Sequence, residues 1–298
     1  MNKTTDSYKS SNNAADTAYY IYTPEKDIIP KAILQIVHGM YEYIECYEEL
    51  AEFMTANGVI LCGNDHQGHG KSIKNPDELG YFGSTDGEKY MVEDARQLYD
   101  IMRRKYRRLA YVMLGHGTGS LVLRQYMIQY GLSLDGAIIC GTGVSADSVK
   151  AGIFFASLIA KLKGKKYRGE FLKKFILKNY RDKSYPLSYL TADTALRRKY
   201  QNDPLCSFDY TAYAYRDILK LSQNVSSSEW FGGIPRNLPV LITGGEGEEM
   251  KELYERLKDS EINDAAMQIY GDPSREAFEG ILKFIEHVYE GVVEVNKI

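Results

Sequence analysis

Two spacings of apolar residues divide the chain into predicted strands and helices. Short runs rich in β-branched and aromatic residues predict strands at 17–23, 32–37, 59–63, 111–114, 134–140, 240–243 and 265–270. Apolar residues three and four positions apart predict helices at 46–57, 92–105, 118–130, 248–257 and 277–289. Because strands that alternate with helices form a parallel sheet covered on both faces, the predicted fold class is α/β.

The alternation of strands and helices is interrupted once. It stops near Gly143 and resumes at Pro239, and the residues between them include an apolar helical pattern at Ile153–Leu162. An insertion between two strands of a sheet is how a helical lid is attached. We therefore expect a first core part at 17–143, a lid at 144–238 and a second core part at 239–298. The polar residues before 17 look disordered.

Charge is distributed unevenly along the chain. The net charge is −3, but the segment Lys161–Lys183 has ten Lys or Arg residues against Glu170 and Asp182, a local balance of 10 − 2 = +8. The remainder therefore carries −3 − 8 = −11. A nucleic-acid binder would normally extend its positive field over the whole body, so this pattern argues against nucleic acid as a partner and predicts one basic face.

Composition excludes several other classes of protein. The four cysteines lie far apart without CxxC spacing, which predicts reduced core thiols and neither a metal site nor a cofactor. The N-terminal residues are polar and lack the apolar region of a secretory signal. There is also no run of about 18 uncharged apolar residues. We therefore expect a cytoplasmic protein without a transmembrane segment.

Three short motifs lie at predicted junctions between strands and loops or helices. They are Val37–Met40 (VHGM), Asn64–Ser72 (NDHQGHGKS) and Gly115–Gly119 (GHGTG). In this order they resemble the monoacylglycerol lipase and lysophospholipase branch of the α/β-hydrolases, of the serine aminopeptidase S33 type. Leu79–Gly83 and Asp203–Cys206 look like the same branch. The resemblance implies an α/β-hydrolase fold, a mostly parallel sheet with an inserted helical lid.

The resemblance also implies where a catalytic triad should lie. In the family, GxSxG forms a nucleophile elbow, a tight turn that holds a serine in a strained backbone conformation. Here Gly117 takes the serine position. Glycine tolerates that conformation, so we expect the turn to survive without its hydroxyl group.

The other two triad positions also depart from the family pattern. The acid position falls on Gly247, although a shift of one residue would place Glu246 or Glu248 there. The histidine position falls on Arg275. A serine hydrolase needs a base that accepts the nucleophile's proton and later returns it, and a guanidinium with a pKa above about 12 cannot do so. Ser120 and Thr118 are weaker candidates for a substitute nucleophile.

The remaining groups at this position are suited to an anion. The resemblance implies an oxyanion hole made by the amides of Met40 and Thr118, and the start of a helix adds partial positive charge. Arg275 would bring a full positive charge. The expected ligand-binding residues are His38, Gly39, His116, Gly117 and Arg275. The resemblance implies that His38, His66 and His69 belong to architectural turns, while His116 flanks the elbow, and we expect all four to be satisfied loop histidines rather than bases. The hypothesis is a fatty-acid-like or other anionic lipid whose tail lies beneath the lid.

These patterns favour a non-catalytic homologue of a monoacylglycerol lipase or lysophospholipase, acting as a binding or regulatory protein. One alternative is an active carboxylic ester hydrolase that uses rearranged residues. Another is a scaffold that acts through its surface. The apolar helix and the basic stretch of the lid also suggest peripheral contact with an anionic membrane.

Overall fold

A computed structural model describes residues 1–141, 149–168, 173, 198, 200, 202–244, 248–270 and 275–295 of the chain. In this part, eight strands form one sheet in the order β1-β2-β4-β3-β5-β6-β7-β8. The strands are β1 (Asn2–Lys9), β2 (Asp16–Thr23), β3 (Ala32–Val37), β4 (Val59–Asn64), β5 (Ala110–His116), β6 (Gly136–Cys140), β7 (Val240–Gly244) and β8 (Ala265–Ile269).

The sheet is mostly parallel. Strands β3 to β8 pair in parallel, while β1 pairs antiparallel with β2 and β2 pairs antiparallel with β4. Every residue of β3, β4 and β5 is buried. Their nearly continuous apolar sequences follow from this burial on both faces. The predicted fold class is confirmed.

Helices cover both faces of the sheet. They are α1 (Glu48–Ala56), α2 (Gly87–Lys105), α3 (Thr118–Tyr130), α4 (Val149–Lys163), α5 (Ala212–Val225), α6 (Ser228–Gly233), α7 (Glu248–Asp259) and α8 (Arg275–Val295). One face is covered by α1 and α8, which bury Met54 and Ile285 in a shared apolar cluster. The other is covered by α2, α3, α5 and α7, whose cluster includes Leu98, Leu123 and Tyr215.

The N-terminal residues differ from the prediction. Rather than being disordered, Asn2–Lys9 forms the edge strand β1, paired along its whole length with β2. The hydroxyl of Tyr8 donates to the backbone carbonyl of Asp94 at 2.6 Å. The carboxylate of Asp94 accepts from the hydroxyl of Ser10 and from the amide of Ser11. The strand is exposed and therefore polar, and partners distant in sequence hold it in place.

The insertion between β6 and β7 contains α4, α5 and α6. The predicted helix at Ile153–Leu162 lies within α4, which packs against α5. The domain limits 17–143, 144–238 and 239–298 stay predictions, although the sheet itself starts before residue 17. Most of the basic segment after residue 168 lies outside the described residues. Of the helices that the structure describes, none has the length and apolar content to cross a membrane.

Candidate functional site

The turn between β5 and α3 holds Gly117 in a backbone conformation that favours glycine. Its φ is 53° and its ψ is −117°. The Gly117 amide donates to the Cys140 carbonyl oxygen at 2.9 Å, which connects the turn to β6. This is the geometry of a nucleophile elbow, the strained turn from a strand into a helix. The position that would carry a nucleophile has no side chain.

The glycines of this turn serve different purposes. A Cβ atom built on Gly117 would have only the Cα of Gly39 near it, at 3.9 Å. A Cβ on Gly119 would overlap the carbonyl oxygen of Val37, so α3 can approach β3 only with glycine at that position. Ser120 is buried, and its hydroxyl donates to the Gly117 carbonyl at 2.6 Å. It therefore points back along the helix.

A small cavity of about 10 Å³ lies beside the elbow, lined by residues that include His38, Gly39, Met40, His66 and Thr118. This size corresponds to about one water molecule. The two predicted oxyanion-hole residues, Met40 and Thr118, are thus brought together. Both ring nitrogens of buried His66 and the hydroxyl of Thr118 lack a hydrogen-bond partner within the described structure.

Three histidines form a buried cluster next to this cavity. The ring of His38 is 4.2 Å from that of His66 and 4.9 Å from that of His69. His38 accepts from the His66 amide at 2.9 Å, and the Tyr210 hydroxyl lies 2.6 Å from His69 Nε2. Burial lowers the pKa of His66 to about 4 and the pKa of His69 to about 3, and it holds the pKa of His38 well below its usual value. These rings are therefore neutral at pH 7 and bring no positive charge to a ligand.

A buried carboxylate, which the sequence analysis missed, holds His116. The Glu42 Oε1 atom lies 2.9 Å from His116 Nδ1, and both side chains are buried. Glu42 also accepts from the Gly39 amide and from the Tyr47 hydroxyl, each at 2.7 Å. Because a carboxylate only accepts, Nδ1 carries the ring proton. The available signal was one acidic residue between Tyr41 and Tyr43 in an otherwise apolar segment.

A larger cavity of about 50 Å³ lies at the carboxyl ends of β5, β6 and β7, beside the start of α8. Its walls are mostly apolar, and its polar lining includes His116, Tyr47 and Cys140. The remaining lining residues are Leu50, Leu114, Thr243, Gly244, Tyr270, Ala277, Phe278 and Ile281. Burial raises the pKa of Cys140 to about 12, with a smaller contribution from Glu42. The thiol is therefore protonated at pH 7.

The other positions predicted for a triad are less enclosed. Gly247 and Glu246 lie outside the described residues, and Glu248 is exposed at the start of α7. Arg275 begins α8, its side chain is 83% exposed, and its Nε lies 3.4 Å from Glu279 Oε1. Arg275 lines neither cavity. A role for Arg275 as an anion ligand stays a prediction. In the structure its guanidinium is paired with the carboxylate of Glu279.

The remaining histidine and the cysteines lie where the sequence indicated. His287 lies within α8, and its Nε2 is 2.7 Å from Asp264 Oδ2. All four cysteines are free thiols, and only Cys140 is partly exposed. Among the described residues, no group of three or more His, Cys, Asp or Glu side chains could hold a metal ion.

Comparison with known proteins identifies the family. Residues 29–253, more than half of the chain, match the serine aminopeptidase S33 family. The monoacylglycerol lipase of Mycolicibacterium smegmatis is 28% identical over 147 residues, which are 49% of this chain and 49% of that protein. The match thus spans about half of that relative's length. The monoglyceride lipase homolog of monkeypox virus is 24% identical over 234 residues, or 75% of this chain and 73% of that protein.

Solved structures with the same fold include esterases and lipases. A highly thermostable carboxyl esterase from Bacillus coagulans has a TM-score of 0.84 at 22% identity, covering 97% of this chain and 99% of that one. A soluble variant of the monoglyceride lipase from Saccharomyces cerevisiae has a TM-score of 0.70 at 16% identity, covering 96% of this chain and 94% of that one. At these identities the structural likeness establishes the fold. The chain therefore belongs to the serine aminopeptidase S33 family, with the α/β-hydrolase fold and with monoglyceride lipases among its relatives.

Proposed function

We propose that this chain is a non-catalytic member of its family that binds a lipid-like ligand at the former active site. The observation that carries the proposal is Gly117, which keeps the elbow's backbone conformation and has no nucleophilic atom. The amide groups at the start of α3 remain available to a polar ligand group. The chemistry that depended on a side chain at that turn is absent.

Proton transfer supports the same proposal. Arg275 occupies the position where the family resemblance places a histidine, and a guanidinium, which is always charged, cannot act as a general base. The rings of His38 and His69 have the Gly39 carbonyl and the Tyr210 hydroxyl as partners. His287, on α8, pairs with Asp264, which immediately precedes β8. Each of these three rings thus already has a partner outside the turn at Gly117.

The lining of the large cavity supports a ligand with an apolar body. Leu50, Leu114, Phe278 and Ile281 would contact acyl carbons. A carboxylate or ester oxygen could accept from the amides near Gly117, where the partial charge of the α3 N-terminus favours an anion. Since His38, His66 and His69 are neutral, they do not add to this preference, which rests on amides and the helix dipole. Fatty acids, phosphate monoesters and neutral monoacylglycerols are therefore the ligands to compare.

Two measurements on the purified chain test the proposal. A chromogenic short-chain ester should not be turned over, and a fluorophosphonate probe should not label the protein. A saturating fatty acid should raise the melting temperature by roughly 5 °C. Arg275→Ala tests whether the exposed arginine contributes to the binding of anions. Turnover that one point substitution abolishes would contradict the absence of catalysis.

A variant that fills the cavity locates the ligand. Ala277 lines the large cavity from α8, so Ala277→Leu should remove the thermal response to the fatty acid. Ala56→Leu, at the exposed end of α1, is the matched control and should keep the response. A response that survives Ala277→Leu would exclude the large cavity as the site.

A second candidate function is an active ester hydrolase with rearranged residues. It is favoured by the Glu42–His116 pair, a carboxylate–imidazole arrangement like that of a triad, in the same cavity as Cys140. In such a mechanism His116 would take the thiol proton and the sulfur would attack the ester carbonyl. The ester C–O bond would break, the alcohol would leave with that proton, and water would then hydrolyse the thioester. The raised pKa of Cys140 opposes that step. Turnover that disappears in both His116→Gln and Cys140→Ala would establish it.

A further inference from the structure

Helix α4 packs with its small residues inward and its large apolar residues outward. Gly152, Ala156 and Ala160, at intervals of four residues, are buried. The helix packs against α5. By contrast, the outward-facing residues are Phe154 at 63% exposure, Phe155 at 50%, Leu158 at 41% and Leu162 at 73%.

These four residues form one surface, named here the α4 face. At 3.6 residues per turn they span an arc of about 100°, opposite the buried small residues. Two aromatic and two leucine side chains on adjacent turns make a contiguous apolar surface. Such a surface on a folded protein marks an interaction site, because each side chain would gain free energy on leaving water.

Positive charge lies along one edge and at one end of the α4 face. Between residues 149 and 168 the chain has six Lys or Arg residues and no acidic residue. Lys150 and Lys161 lie along one edge of the α4 face by helical position, and both are exposed. Lys163 and Lys165 follow at its C-terminal end, also exposed.

We propose that the α4 face is a docking surface for an anionic phospholipid membrane. The aromatic and leucine side chains enter the boundary between head groups and acyl chains, while the lysines remain at the level of the phosphates. A second copy of this chain fits less well, because a symmetric contact would place lysines against lysines. The proposal does not depend on whether the former active site binds a ligand.

Sedimentation of the full chain with vesicles tests the proposal. Vesicles of phosphatidylcholine alone are compared with vesicles of phosphatidylcholine and phosphatidylglycerol in equal amounts, at low and high salt. We expect binding to the mixed vesicles that weakens as salt is raised. The double variant Lys161→Glu/Lys163→Glu should weaken that binding by at least about fivefold.

Substitutions on the α4 face test the apolar contribution. Phe154→Gln/Leu162→Gln should lower the partition coefficient by at least about tenfold. The residues are exposed, so the folded structure should tolerate the change. Ile29→Gln/Leu132→Gln replaces two apolar residues that are also exposed but lie elsewhere, and it should bind like the wild type.

Three results would overturn the proposal. One is equal pelleting of the wild type and the Phe154→Gln/Leu162→Gln variant. Another is equal binding to neutral and mixed vesicles. The third is a wild-type dimer in analytical ultracentrifugation that the same variant converts to a monomer, since the α4 face would then be covered by a second copy.

Discussion

His116 and Glu42 form an imidazole–carboxylate pair inside the protein, with Nδ1 2.9 Å from Oε1. The carboxylate also holds the Gly39 amide and the Tyr47 hydroxyl. It therefore links the turn after β3 to the end of β5, next to the elbow. This pair is part of what maintains the turn that holds Gly117.

Glu42→Ala should destabilise the protein by about 3 to 5 kcal/mol, because it leaves buried donors on three groups without an acceptor. Urea unfolding followed by circular dichroism measures the change in the free energy of unfolding. Glu52→Ala, at an exposed position on α1, should change it by less than about 0.5 kcal/mol. Similar values for the two variants would mean that the Glu42 network contributes nothing to stability.

Gly117→Ser should fold and remain inactive. The new side chain would extend into open space, and the cost of about 1 to 3 kcal/mol comes from the strained backbone. Gly119→Ser should be far more destabilising because its Cβ would overlap the Val37 carbonyl oxygen. Thermal melts and a chromogenic ester assay measure both effects. Ester turnover by Gly117→Ser would reveal a working base, with His116 the first residue to test.

His66 should reduce stability at acidic pH. Its folded-state pKa of about 4 lies below the value of about 6.5 in an unfolded chain. The unfolded state therefore binds more protons as the pH falls through that window, and stability is lost there. For His66 alone the loss is roughly 3 kcal/mol. Burial raises the pKa of neighbouring Asp65 to about 6, which acts in the opposite direction.

Comparing the wild type with the His66→Gln variant isolates the contribution of His66 to the pH dependence of stability. The free energy of unfolding of His66→Gln should rise, relative to that of the wild type, by roughly 3 kcal/mol as the pH falls from about 7 to about 4. Urea unfolding at several pH values measures this gain. His287→Gln replaces an exposed histidine on α8 and serves as the control. A constant offset between wild type and His66→Gln across that range would contradict the assigned cause.

Asp94→Ala should release the N-terminal hairpin. The Asp94 carboxylate accepts from the hydroxyls of Ser10 and Ser11 and from the Ser11 amide. We expect a loss of about 2 to 4 kcal/mol and faster hydrogen exchange in β1, with the other strands still protected. Asp100→Ala removes only a half-exposed ion pair with Arg96 and should cost less than about 1 kcal/mol. Unchanged exchange in β1 would show that other contacts hold the hairpin.

Features encoded by neighbouring residues could be predicted from the sequence. The alternation of strands and helices, the place of the insertion and the turn at Gly117 all depend on local spacing and on glycine. Some predicted strand and helix ends differ from the observed ends by a few residues. The helix predicted at 92–105, for example, begins at Gly87. Contacts between distant segments decide such ends, and a local pattern does not contain them.

Other features depend on partners far along the chain. Strand β1 looked disordered because its pairing with β2 and its contacts to Asp94 are not visible in a polar segment. The helical pattern of α4 predicted two faces but not which one packs inward, because that depends on the surface of α5. The role of Glu42 depends on His116, which lies 74 residues further along the chain.

The absence of a side chain at Gly117 also shapes the space in front of α3. A Cβ placed there would have only the Cα of Gly39 near it, at 3.9 Å, so the first peptide units of α3 can be approached from that side. The recess in front of this helix terminus is therefore wider than a larger residue at position 117 would leave it. A molecule that enters the recess would meet the backbone of Gly117 rather than a side chain at that position.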